Sequence, residues 1–156
     1  MIMKNVLLIE DDTVERQVIR EALEAFPGIA LELVASSAEA IAYLEGQGDW
    51  ADREKHPLPI LVVLDLQLGN PTGLELLRWL KGQEVIRRIP VIGVCTPFSQ
   101  EIVNKAYDDH INCAVARRVQ ASDFSSTVHA LLNFWLNINQ PPVLEREPGG
   151  NSIIDL

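Results

Sequence analysis

The chain reads as an α/β protein. Five short apolar runs alternate with five amphipathic segments, and carboxylates gather where the first and third runs end. Alternation of this kind implies a doubly wound parallel sheet, covered on both faces and joined by right-handed crossovers. At 156 residues, 47% of them hydrophobic, the chain is the size of one compact domain with a full core and a short appendage.

Val6–Ile9 is an apolar run bounded by acids, as a buried parallel strand would be. Thr13 is placed to cap the helix that follows, with Val14, Val18, Ala22 and Phe26 spaced four apart, and Pro27-Gly28 stops it. Ile29–Ala35 reads as a second strand. Ser36 or Ser37 caps a helix carrying Ala40, Ile41 and Leu44, ending near Gly46. Residues 46–59 contain two glycines and two prolines and read as a surface loop, with Trp50 packing it down.

Ile60–Leu64 is the most continuous apolar run, the best central strand, and it stops at Asp65. A turn through Gly69, Asn70 and Pro71 leads to a helix over Gly73–Lys81. Pro90 opens a fourth strand, Val91–Cys95, and Ser99 starts a helix with Ile102, Val103 and Ala106. Ile111–Ala116 is a fifth strand. The last helix runs from about Ser122 to Ile138, with Phe124, Val128, Leu131, Leu132 and Trp135 as its core stripe. Residues 139–156, with Pro141-Pro142 and Pro148-Gly149-Gly150, form a linker-like tail that is expected to be too short for an effector domain.

A formal charge of −9 and a pI of about 4.7 argue against a nucleic-acid partner, since binding along a phosphate backbone needs clustered Lys and Arg. Cys95 and Cys113 form no C-x-x-C pair and read as reduced, buried thiols. No stretch approaches the ~20 apolar residues of a membrane span, so a cytoplasmic, soluble protein is expected.

In an open α/β sheet the ligand site lies outside the carboxyl ends of the strands, where strand order reverses. Four strand ends here carry chemistry. Glu10-Asp11-Asp12 follow the first strand, Asp65 the third, Cys95-Thr96 the fourth and Arg117-Arg118 the fifth. Carboxylates this close raise one another's pKa unless a cation intervenes. Mg²⁺ suits such a set, being a hard ion that takes one or two carboxylates and keeps several waters. A metal-neutralised carboxylate can then attack phosphorus and become an aspartyl phosphate. The new group needs a cation and hydroxyl or N–H donors beside it, which Arg117, Thr96 and the backbone after Cys95 can supply. Taken singly, each acid has a plainer reading as a cap, and Asp12 is expected to be one. The combination carries the weight.

On these residues the chain resembles response-regulator receiver domains over residues 4 to about 136. The motifs are Val6-Leu7-Leu8-Ile9-Glu10-Asp11-Asp12, Leu61-Val62-Val63-Leu64-Asp65-Leu66-Gln67-Leu68 with Gly73 eight residues past the Asp, and Ile89-Pro90-Val91-Ile92. The resemblance implies a flavodoxin-like (βα)5 fold with strand order 2-1-3-4-5, a receiver domain over residues 1–138 and a tail over 139–156. It also implies that Glu10 and Asp11 hold Mg²⁺, that Asp65 is both metal ligand and phosphoacceptor, and that the Gln67 carbonyl completes the metal site. Within the family the chain looks most like single-domain regulators paired with phytochrome histidine kinases, through Arg88-Ile89-Pro90, His110-Ile111-Asn112-Cys113 and Phe134-Trp135-Leu136. It is thus expected to be a phosphoacceptor in a two-component relay, served by a histidine kinase of the bacteriophytochrome kind, and not an enzyme acting on a separate substrate.

Three positions depart from the family pattern. Its Thr or Ser falls on Cys95, its Lys on Arg117 and its switching aromatic on Ala114. A thiol is a weak donor, a guanidinium is bulkier than an ammonium, and Ala114 has no ring to rotate. These departures favour the main alternative, a degenerate receiver that binds partners without being phosphorylated. A haloacid-dehalogenase-like phosphatase would want a second Asp where Gln67 stands. A flavin binder would want a phosphate loop where three acids follow Ile9. Finally, Phe134, Leu136 and Ile138 lie off the last helix's core stripe, and Ile153, Ile154 and Leu156 form a short apolar end. Both features predict a homodimer, with residues 139–156 as its arm.

Overall fold

A computed structural model of the chain describes residues 4–116 and 121–145. Its order is β1 (Lys4–Ile9), α1 (Thr13–Leu23), β2 (Ile29–Val34), α2 (Ser37–Glu45), β3 (Leu61–Asp65), α3 (Gly73–Lys81), β4 (Val91–Cys95), α4 (Gln100–Asp108), β5 (Cys113–Ala116) and α5 (Ala121–Asn133). The five strands are parallel in the order β2-β1-β3-β4-β5, the order the resemblance implied. Alternate residues of β1, β3 and β4 enter opposite cores, as the two-residue period of a strand requires. Leu7, Ile9, Val62, Leu64 and Val91 pack under α2, α3 and α4. Val6, Leu8, Leu61, Val63 and Ile92 pack under α1 and α5. No helix among the described residues is long and apolar enough to cross a membrane.

Several local expectations shift. Asp12, not Thr13, caps α1, accepting from the Val14 and Glu15 amides at 2.8 and 3.0 Å. The buried stripe of α1 is Glu15, Ile19, Ala22 and Leu23, while Val14 is 60% exposed. The four-residue spacing carries Val14 off the core because the helix turns every 3.6 residues, while Val18 stays partly buried against it. Ser36 caps α2 and Gly46, in the left-handed region at φ 69°, ends it. Trp50 packs its ring edge-on to the buried Tyr43, so the loop is held down as its composition implied.

β5 begins two residues later than expected. Its would-be start is diverted because Asn112 Oδ1 accepts both the Val91 amide and the Lys81 ammonium, each at 2.8 Å. α5 ends at Asn133 and continues as a π turn over Phe134–Ile138. Leu136, expected to point away, packs against the α1/α5 core, while Phe134 is 45% and Ile138 66% exposed. Beyond that turn the chain crosses under the sheet. Arg88 donates to the Val143 carbonyl at 3.2 Å, and Leu144 packs against the core on the α3 side.

Lys81 also donates to the Arg87 and Ile89 carbonyls, both at 3.2 Å. Burial pushes its ammonium down to about 8 despite these acceptors. Its folded pKa thus lies below the ordinary 10.5. Between those values the unfolded chain holds more protons, so stability rises with pH across that window. Urea midpoints of the native chain and Lys81→Met, compared at about pH 7.5 and about pH 9.5, should differ by an amount that changes with pH. A difference constant between the two would contradict the assignment.

Candidate metal centre

β1 and β3 are neighbours with Ile9 level with Leu64, so the acids after β1 reach Asp65 across one strand spacing. Glu10, Asp11 and Asp65 each offer a carboxylate oxygen, and the three atoms lie within 4.8 Å of one another. Glu10 is buried, Asp65 half-buried and Asp11 exposed, so the cluster opens to solvent on the Asp11 side. Asp12 turns away to its cap, as anticipated. The Glu10 carbonyl accepts from Arg16 Nε, and Glu10 Oε1 accepts the Asp12 amide at 2.9 Å.

Burial lifts the Glu10 carboxyl to about 9, against the lowering effect of the Asp12 amide. A hydrogen bond to Glu15 and the charges of Asp65 and Glu15 push it the same way. Asp65 is also raised, first by burial and then by the charges of Glu15 and Asp11, while the Gln67 amide holds it down. Carboxylates so disfavoured as anions form a hard, all-oxygen donor set that a divalent cation would relieve, and Mg²⁺ fits it. Among the described residues, Glu10, Asp11 and Asp65 are the side chains able to hold such an ion.

Glu15 was not legible as part of this site. It stands three residues after the Asp12 cap, where a capping-box glutamate would reach back to the cap's amide. That amide is taken by Glu10 instead, and the buried Glu15 carboxyl faces the acidic centre. The D-x-x-E spacing was the available signal, and it pointed to the helix cap.

β4 borders β3 with Asp65 level with Val94, which brings Cys95 and Thr96 to the rim of the same crevice. The Cys95 side chain is buried, and its thiol approaches the Pro97 and Ser99 carbonyls at 3.6 and 3.8 Å. Thr96 Oγ1 is buried with no hydrogen-bond partner among the described residues. The Gln67 amide donates to Asp65 Oδ1 at 2.9 Å, and its side chain reaches Pro97. Arg117 lies outside the described residues. Ala114 sits on β5 beside Gly93.

The model of the response regulator receiver domain family matches residues 6–129. Response regulator Rcp1 of Synechocystis is 30% identical over 134 residues, 85% of this chain and 89% of that protein. The probable methanogenesis regulatory protein FilR2 of Methanothrix harundinacea is 32% identical over 142 residues, 88% of this chain and 86% of its own. The crystal structure of the phosphorylated cyanobacterial phytochrome response regulator RcpA matches with a TM-score of 0.83 at 30% identity, covering 90% of this chain and 99% of that one. The Mn²⁺-bound form of Rcp1 matches with a TM-score of 0.82 at 29% identity and the same coverage. The chain belongs to the response-regulator receiver family, whose members accept a phosphoryl group in two-component signalling.

Proposed function

We propose that Asp65 takes a phosphoryl group from a histidine kinase of phytochrome signalling, with Mg²⁺ held by Glu10, Asp11, Asp65 and the backbone carbonyl of Gln67. The observation that carries this reading is the meeting of three carboxylates within 4.8 Å at the ends of β1 and β3. A bound Mg²⁺ would supply positive charge that offsets the crowded carboxylates and the incoming phosphoryl oxygens. The name of the cyanobacterial phytochrome response regulator RcpA points to the kind of kinase. In the transfer an Asp65 oxygen bonds to phosphorus while the donor's P–N bond breaks, the electron pair leaving with the histidine nitrogen, which takes a proton from water. With acetyl phosphate the P–O bond breaks and acetate leaves. Arg117 and Thr96 are the proposed partners of the phosphoryl oxygens, and residues 1–138 the receiver unit. The relay is placed in the cytoplasm, with no nucleic acid or membrane as partner, in keeping with the charge of −9.

Acetyl phosphate with Mg²⁺ should add one phosphoryl group by intact mass, and chelation should prevent it. No gain in mass would favour the second reading, a receiver that binds partners unphosphorylated. That alternative draws on Cys95, whose thiol is directed to loop carbonyls.

The homodimer remains part of the proposal. Phe134, Ile138 and Val143 are 45%, 66% and 70% exposed, apolar surface that a second copy would cover. Of the segment proposed as an arm, residues 139–156, the part over 146–156 lies outside the described residues. Light scattering should give a dimer for the full chain, and a smaller dimer fraction for a chain stopped at Glu145. Stopping at Gln140 would remove the Arg88–Val143 bond and the Leu144 packing as well, and so would confuse arm with core. A monomeric full chain would refute the dimer.

A further inference from the structure

The β3–α3 turn and the loop between β4 and α4 are joined by one side chain. Gln67 Nε2 donates to the Pro97 carbonyl at 3.1 Å, while the backbone amide of the same residue donates to Asp65 Oδ1 at 2.9 Å. One residue therefore holds the acceptor carboxylate with its main chain and the facing loop with its side chain. The orientation of the Gln67 amide is set by its partner, since a carbonyl oxygen can only accept. The other contact on the Pro97 carbonyl, from the Cys95 thiol at 3.6 Å, is a weak one. Gln67 is thus a polar tie on this loop from across the crevice.

Two atoms beside that tie are unsatisfied. Gln67 Oε1 and Thr96 Oγ1 are buried without a hydrogen-bond partner among the described residues. A buried hydroxyl with no acceptor is disfavoured, and an acceptor arriving nearby would capture it. A phosphoryl group brings three strong acceptor oxygens. Thr96 is covalently followed by Pro97, so a backbone shift that brings the Thr96 hydroxyl toward Asp65 carries with it the carbonyl that Gln67 holds. The family's aromatic relay has no counterpart here, because Ala114 carries no ring. That leaves the loop itself to carry the signal.

We infer that Gln67 is a positioning residue that latches the β4–α4 loop, holding the Pro97 carbonyl in the unphosphorylated protein and losing it when Thr96 turns to a phosphoryl group on Asp65. This rests on the reading of Asp65 as phosphoacceptor. The latch is short, two loops and one hydrogen bond, and it couples the site to the start of α4 without a rotating side chain in β5.

The test is amide exchange over residues 98–103 with and without acetyl phosphate and Mg²⁺, with intact mass on the same samples giving the phosphorylated fraction. In the native chain, exchange there should quicken about fivefold in the phosphorylated fraction, the scale of one net hydrogen bond lost. Gln67→Met keeps the length and removes the donor, and Gln67→Ala is the second variant. Both should show that faster exchange before phosphorylation and no further rise after it, with exchange in β1 and α1 as in the native chain. A purely structural role would leave the phosphorylation-dependent rise in place. Equal loop exchange in both native states, or a full rise in both variants, overturns the latch while mass gain upholds the acceptor. Absence of mass gain in the native chain overturns the acceptor reading, and the latch with it.

Discussion

Asp65→Asn should reduce phosphoryl uptake from acetyl phosphate and Mg²⁺ to nothing detectable by intact mass, because an amide oxygen or nitrogen is no substitute for a carboxylate nucleophile. Asp11→Asn leaves the nucleophile in place and removes one charge from the metal set. It should weaken Mg²⁺ binding by about tenfold or more, ~1.4 kcal/mol, and slow uptake at limiting metal. The two variants also separate chemistry from stability. Burial and neighbouring charge raise both Glu10 and Asp65. Deleting the Asp65 charge should therefore raise the melting temperature of the metal-free protein even as it abolishes uptake. If Asp65→Asn gains mass as readily as the native chain, the acceptor lies elsewhere.

Gly73→Ala should be the most damaging methyl group that can be added near the site. An ideal Cβ there would stand 2.0 Å from the Asp65 carbonyl oxygen and 2.7 Å from Leu66 Cα. Both are backbone atoms, so neither can swing away. α3 would have to lift off the end of β3, at about 3 kcal/mol. The same shift would move Asp65 relative to Glu10 and slow uptake. Gly69→Ala, four residues earlier on the same turn, meets nothing within 4 Å and is the control. Urea unfolding of the pair should show a large loss for Gly73→Ala and a change within about 0.5 kcal/mol for Gly69→Ala. Similar midpoints for both would mean that the close approach is not real.

What sequence alone determined was whatever depends on neighbours along the chain. The apolar run that stops at Asp65, the proline that opens β4 and the leucine spacing of α3 are local signals. They place β4 at Val91–Cys95 and α3 at Gly73–Lys81, and the structure has the same bounds. The acids Glu10, Asp11 and Asp65 were legible as a group because strand ends in such a sheet converge, and the structure brings them together. Tertiary structure decided what depends on residues distant in sequence. Glu15 joins the acidic centre, while the Asp12 amide that its spacing pointed to is taken by Glu10. Asn112 leaves the fifth strand because Val91 and Lys81, more than twenty residues away, need its oxygen. The Cys95 thiol faces loop carbonyls and the Gln67 amide spans to Pro97, contacts that a one-dimensional pattern does not encode. Periodicity reports which face of an element is apolar. Only the packed chain settles which polar group finds its partner, because a buried donor or acceptor takes whichever mate the fold brings within reach.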